Sequence, residues 1–124
     1  MQKVLTGLLI LVAIIHLLPL SGVLGIERLA ALYGITFNEP NLEILMRHRA
    51  VLFGLFGAFI LYAAFTPRLQ LLAIIAGFVS VLSFMFLAWS VGDYNESIQK
   101  VVIADVVALI ALVGSGIIYF LRRN

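Results

Sequence analysis

The sequence predicts an all-α integral membrane protein: a four-helix antiparallel bundle with a short interfacial amphipathic helix between the first and second spans. Three observations lead there. Of 124 residues, 64% are hydrophobic and only 11% charged, against roughly 25% charged and 45–50% apolar in soluble domains. A water-soluble fold of this size has too little interior to hide that much apolar surface. The apolar residues also fall in four runs of about the length that crosses a bilayer, separated by turn signals and charges. With no linker or low-complexity segment, the whole chain, 1–124, reads as one transmembrane domain.

Composition also excludes functions. Cysteine is absent, which removes disulfides, thiolate metal sites, c-type haem attachment and thiol catalysis. The net charge is +2, and the basic residues are scattered without aromatic interleaving, so no nucleic-acid surface is expected. No phosphate-binding Gly-rich loop, H-E-x-x-H or G-x-S-x-G motif occurs.

The first span is expected over about 4–20. Its basic start and apolar core look like a signal peptide, but an A-x-A cleavage site is missing. Pro19 cannot donate to the carbonyl of Ile15, which leaves a backbone acceptor free beside the imidazole of His16. An interfacial helix is expected over about 22–33, because Ile26, Leu29, Ala30 and Tyr33 share a face and Gly34 can cap it. Asn38-Glu39-Pro40 signals the next helix start, with the second span over about 42–65. Ala50, Gly54, Gly57 and Ala58 form a small-residue stripe suited to close helix packing. At 100° per residue Arg47 lies near that stripe and Arg49 roughly 200° from Arg47, so the two arginines cannot face the same partner. Thr66-Pro67 begins the third span, about 67–91, ended by Gly92. Asp93 to Glu96 caps the fourth, about 97–121, which has its own stripe of Ala104, Ala108, Ala111 and Ser115.

Lys3, Arg68, Arg122 and Arg123 share one side of the membrane; Arg28, Arg47, Arg49 and Lys100 share the other. The terminal amine tips this tie toward both termini in the cytoplasm. Depth says more. At 1.5 Å per residue, His16 lies about 18 Å from Val4, Arg49 about 24 Å from Phe65 and Asp105 about 24 Å from Leu121. Three helices thus place an ionisable group in the outer third of a core about 30 Å thick, with Arg47, Trp89, Asp93 and Tyr94 just above. Such groups are functional hypotheses by default.

Asp105 is the sharpest of them. Unpaired, it would cost at least about 2.5–3.5 kcal/mol on insertion scales, so it should either become protonated or form an ion pair with Arg47 or Arg49. That pair is either a structural clasp between helices or part of a binding site. As a site, Arg47 and Arg49 would donate to an anion or carbonyl, Asp105 would be their counter-ion, and His16, Trp89 and Tyr94 would complete it. His16, His48 and Asp105 are the candidates for any proton transfer, and no catalytic role is assigned. Two histidines on neighbouring spans could ligate haem, but His16 and His48 fall at different depths and no further ligand is evident, so neither a metal nor a cofactor is expected.

His16-Leu17-Leu18-Pro19, Leu32-Tyr33-Gly34 and Arg47-His48-Arg49-Ala50, set in four spans with a long first outer loop, resemble the DoxX-like small bacterial membrane proteins. The resemblance implies the bacterial inner membrane and, in some members, quinol-linked or redox partners. It supplies no site residues. Some similar small proteins carry the label phosphopantetheine adenylyltransferase, whose H-x-G-H motif is missing here. Small four-span multidrug exporters are of similar length, but their essential acid is a Glu in the first span, where this chain has His16. The expected function is binding of an amphiphilic ligand, a lipid, quinone or isoprenoid head group, at an outer-leaflet polar site. The alternatives are an accessory subunit of a membrane redox complex and, behind it, a proton-coupled transporter. A membrane-protein partner or a homodimer through Gly54 and Gly57 would fit either.

Overall fold

The computed structural model describes residues 2–34 and 40–123, and every regular element among them is helical. These are α1 (Gln2–Leu17), a 3-10 segment (Leu18–Leu24), α2 (Ile26–Tyr33), α3 (Pro40–Ala64), α4 (Pro67–Val91) and α5 (Glu96–Arg123). Four helices are long and apolar enough to cross a membrane by length and composition: Gln2–Leu20, Pro40–Ala64, Pro67–Val91 and Glu96–Arg122. Their outward faces fit that solvent. Leu72, Ile75, Val79, Leu82 and Phe86 recur at helical spacing along α4, and all are exposed. A contiguous apolar stripe of that length is foreign to a surface facing water.

Helix α1 packs on α3 and α5, and α4 packs on the same two, so each long helix has two long neighbours. The core between them is built from Leu5, Leu9, Val12 and Ala13 of α1, Ile60 and Ala64 of α3, Ile74 and Val81 of α4, and Ala108 and Leu112 of α5. Small residues set the spacing. A methyl group placed on Gly57 would lie 2.7 Å from Leu17 Cγ and 3.1 Å from the Ala13 carbonyl oxygen; one on Gly54 would lie 2.5 Å from Leu20 Cδ1. Ala50, Gly54 and Gly57 are buried as the stripe requires, whereas Ala58 is exposed. The buried arc of α3 instead continues through Ile60, Ala63 and Ala64, because bulkier apolar side chains compete for the interior as well as small ones.

The first span departs from expectation at its far end. Regular α-helix stops at Leu17, and Pro19 opens a 3-10 turn that runs to Leu24. Proline has no N–H for the carbonyl of Ile15, so the tighter i→i+3 pattern takes over. Gly25, at φ 146° and ψ −178°, then redirects the chain, and the short helix begins at Ile26 rather than near residue 22. Its end is as read: Gly34 adopts the left-handed conformation (φ 66°, ψ 27°) and its N–H bonds the Ala30 carbonyl. The Asn38-Glu39 start signal lies outside the described residues, as do the side chains of Ile26, Arg28, Leu29 and Arg123.

The remaining turns use their polar residues differently from the simplest reading. Thr66 precedes Pro67, but its hydroxyl makes no cap bond to α4. It donates backwards to the Tyr62 carbonyl at 2.9 Å and so satisfies the end of α3. The cap of α5 is Asn95, whose Oδ1 accepts from the Ile98 N–H at 2.8 Å. The same side chain donates through Nδ2 to the Tyr33 and Gly34 carbonyls at 2.8 and 3.2 Å. One amide therefore ties the end of α2 to the start of α5. At the opposite end of the helices, the Ala64 carbonyl accepts from Thr6 Oγ1 at 2.8 Å and from Gln70 Nε2 at 3.1 Å, and Arg122 donates to Gln2.

Candidate functional site

At the end where α2 lies, the long helices enclose a cavity of about 350 Å³. Every helix contributes to its wall, together with the 3-10 segment. Most of the lining is apolar, from residues such as Ile15, Leu18, Phe53 and Phe84. Its ionisable members are His16, Arg49, Lys100 and Asp105. Tyr33, Ser80 and Ser97 add hydroxyls.

His16 is buried at 3% exposure. Its Nδ1 lies 2.9 Å from the Val12 carbonyl and its Nε2 2.9 Å from Ser80 Oγ. The imidazole packs edge-on against Phe56 at 4.9 Å between ring centroids and tilts toward Phe53 at 6.0 Å. The acceptor is thus Val12, one turn back on its own helix, and not the Ile15 carbonyl, to which Pro19 cannot donate. The close approach at Gly54 and Gly57 is what brings this side of α1 against the phenylalanines of α3.

Arg49 is held by aromatic groups. Its Nη1 donates to Tyr33 Oη at 2.6 Å. The guanidinium carbon lies 4.5 Å from the centre of the Phe53 ring and 5.5 Å from that of Tyr33, within cation–π range. Phe53 follows Arg49 by one helical turn, so α3 supplies both cation and ring. Tyr33 itself is buried, packed by Ala30, Leu32, Met46 and Ile98, and α2 with Tyr33 forms one wall of the cavity.

Asp105 differs from expectation. Among the described residues it has no hydrogen bond and no ion pair within 4.0 Å. Nor is its carboxylate sealed away: no buried side-chain oxygen in the described structure lacks a partner, so the oxygens of this half-buried residue are reached from the cavity. The expected contact pair with Arg47 or Arg49 is replaced by an opening that Asp105 and Arg49 both line. The aromatic cage around Arg49 holds its head group and explains the difference.

The sequence-predicted residues therefore divide. His16, Arg49 and Asp105 line one cavity. Arg47, His48, Trp89 and Tyr94 do not: Arg47 and His48 are exposed, Trp89 is 80% exposed and Tyr94 43%. The two arginines face different ways, as their angular separation requires, but it is Arg49 that turns inward. The small stripe marks only one edge of the buried arc, and the phenylalanines that extend it lie on the Arg49 side. Sequence reasoning missed Tyr33, Phe53, Ser80, Ser97 and Lys100 as wall residues. A signal existed for some of them: Ser97, Val101, Ala104 and Asp105 recur at helical spacing along one face of α5, and Phe53 sits one turn from Arg49.

Among the described residues, no group of three His, Cys, Asp or Glu stands together as a metal site would need. Comparison with protein-family models, with curated proteins and with solved structures gives no match. The chemistry of the cavity is what bears on function.

Proposed function

We propose that this chain is a small multi-pass protein of the bacterial inner membrane, similar to the DoxX-like proteins, that binds the head group of an amphiphilic ligand: a lipid, quinone or isoprenoid. In this reading the four spans form an antiparallel bundle with both termini in the cytoplasm. Helix α2 lies amphipathically in the outer interface beside the cavity mouth. The observation that carries the reading is the cavity itself, an apolar chamber of about 350 Å³ where Arg49, Lys100, Asp105 and the His16–Ser80 pair converge. Ligand sites are commonly chambers of about 300–1,000 Å³, mostly apolar, with a few placed polar groups. Charge is expensive beside hydrocarbon. Here an acid and a base share an opening without contacting one another, which leaves both available to a third party.

Arg47, Trp89 and Tyr94 have no part in this proposal, and His48 none as an acid or base. A ligand that binds the folded state raises the unfolding midpoint, by the equivalent of about 2.7 kcal/mol at a hundred times its Kd. Thermal unfolding of the purified protein against a panel of phospholipids, quinones and isoprenoid phosphates should show one class that stabilises it. The same class should fail to stabilise Arg49→Gln. A panel in which nothing shifts the midpoint, with a membrane protein co-purifying at fixed stoichiometry, would favour the accessory-subunit reading.

A further inference from the structure

The hydrogen bonds of the cavity wall restrict what the head group can be, given the binding role proposed above. A carbonyl oxygen can only accept, so His16 Nδ1 donates to Val12. The ring is buried with no carboxylate within 4.0 Å among the described residues, and a buried charge without a counter-ion is strongly disfavoured. His16 is therefore neutral and has one N–H, which is used. Its Nε2 must accept, and the Ser80 hydroxyl donates to it. Ser80 Oγ consequently meets the cavity with lone pairs and no proton to give.

The rest of the wall sorts the same way. Asp105 has no hydrogen bond to a described residue, and the Arg49 cation that lines the same cavity acts on its charge, so as a carboxylate it can accept. Arg49 uses one N–H on Tyr33, and a guanidinium has five. Lys100 lines the cavity and makes no hydrogen bond to a described residue. Arg49 and Lys100 line the chamber with Asp105 and a neutral imidazole, one positive charge in excess when the carboxyl is ionised.

We infer that the head group is a monoanion that also bears a hydroxyl, with a phosphodiester such as that of a phosphatidylglycerol fitting best. Its anionic oxygens sit on Arg49 and Lys100, and its hydroxyl donates to Ser80 Oγ. The apolar lining at Ile15, Leu18 and Phe84 takes the first carbons of the tail, which favours a lipid over a free water-soluble anion. A neutral quinone brings acceptors alone and leaves Ser80 and Asp105 without donors. A phosphatidylcholine brings no net charge and no hydroxyl.

The test is native mass spectrometry of the full chain with lipids of identical acyl chains: phosphatidylglycerol, phosphatidylmethanol (the same charge without the hydroxyl) and phosphatidylcholine. Glycerophosphoglycerol is added separately as the tail-less anion. Phosphatidylglycerol should be retained over phosphatidylcholine by at least about tenfold, the effect of one charge-assisted hydrogen bond. Lys100→Gln, at an exposed position where folding is not at stake, should reduce that preference. Ser80→Ala should bring phosphatidylglycerol and phosphatidylmethanol together, and Ser80→Thr should part them again. Equal retention of phosphatidylglycerol and phosphatidylcholine would overturn the inference, and so would displacement of the lipid by equimolar glycerophosphoglycerol. Either result leaves amphiphile binding itself standing if Arg49→Gln abolishes retention. Retention of no lipid, quinone or isoprenoid would overturn both.

Discussion

The approach of α1 to α3 at Gly57 holds His16 against the phenylalanines of the cavity, and it can be tested with one methyl group. A Cβ at Gly57 would stand 2.7 Å from Leu17 Cγ and 2.8 Å from Leu17 Cδ2, where carbon pairs prefer about 3.5–4.0 Å. The leucine could rotate, but the Ala13 carbonyl oxygen at 3.1 Å belongs to the backbone, so α1 itself has to move. Overpacking of this kind typically costs about 1–3 kcal/mol. Gly7 provides the control, since a Cβ there meets nothing within 4 Å. Both substitutions gain the same helix propensity, about 1 kcal/mol from Gly to Ala, which cancels in the comparison. Gly57→Ala should therefore be less stable than Gly7→Ala by about 1–3 kcal/mol. The assay is reversible unfolding in mixed micelles, titrated with a denaturing detergent. Equal stability of the two variants would mean that α1 does not approach α3 as described, and the placement of His16 would lose its basis.

Further outcomes are expected from single changes elsewhere. Ser80→Ala leaves His16 Nε2 without a donor and should destabilise by about 1–3 kcal/mol in the same unfolding assay; a smaller effect than Ser83→Ala would contradict the pairing. Asn95→Ala removes the cap of α5 and should lower stability by about 0.5–2 kcal/mol. Hydrogen exchange should then speed up at Ile98 and at the end of α2; unchanged exchange there would argue against the tie through Asn95. Val79→Lys puts a charge midway along the outward apolar stripe of α4 and should impair insertion by about 2.5–3.5 kcal/mol. Full insertion of that variant, read by glycosylation mapping, would remove α4 from the hydrocarbon.

Much of the fold was legible from the length and composition of four apolar runs. Runs bounded by Pro40, Pro67 and Gly92 are long and apolar enough to cross a membrane, and a chain that does so has helix as its one open structure with a satisfied backbone. The far end of the first span was harder. Pro19 reads as a stop, and nothing local says whether the chain leaves the helix or tightens into a 3-10 turn. That choice is made by packing on α3, where Leu20 meets Gly54. In the site, depth arithmetic was enough to bring His16, Arg49 and Asp105 to one level, because rise per residue is fixed. Direction was not. Whether Arg49 or Arg47 turned inward depended on how wide an arc of α3 is buried, and Phe53 with Ile60 widened it toward Arg49. The ion pair expected for Asp105 failed for a related reason: Coulomb attraction alone did not outweigh the Tyr33 hydroxyl and two aromatic faces around the guanidinium. Tyr33 comes from an element remote in sequence, and no spacing rule connects residues 33 and 49.

Under the proposed function, Asp105 and Arg49 stand apart across the cavity in order to hold a molecule. The direct measurement is native mass spectrometry of the protein extracted gently from its own membrane, with Asp105→Asn and Arg49→Gln prepared alongside. An adduct of one defined mass is expected on the wild type, weakened in the first variant and lost in the second. A bare protein in all three samples would contradict it, and the polar cluster would then serve to position helices.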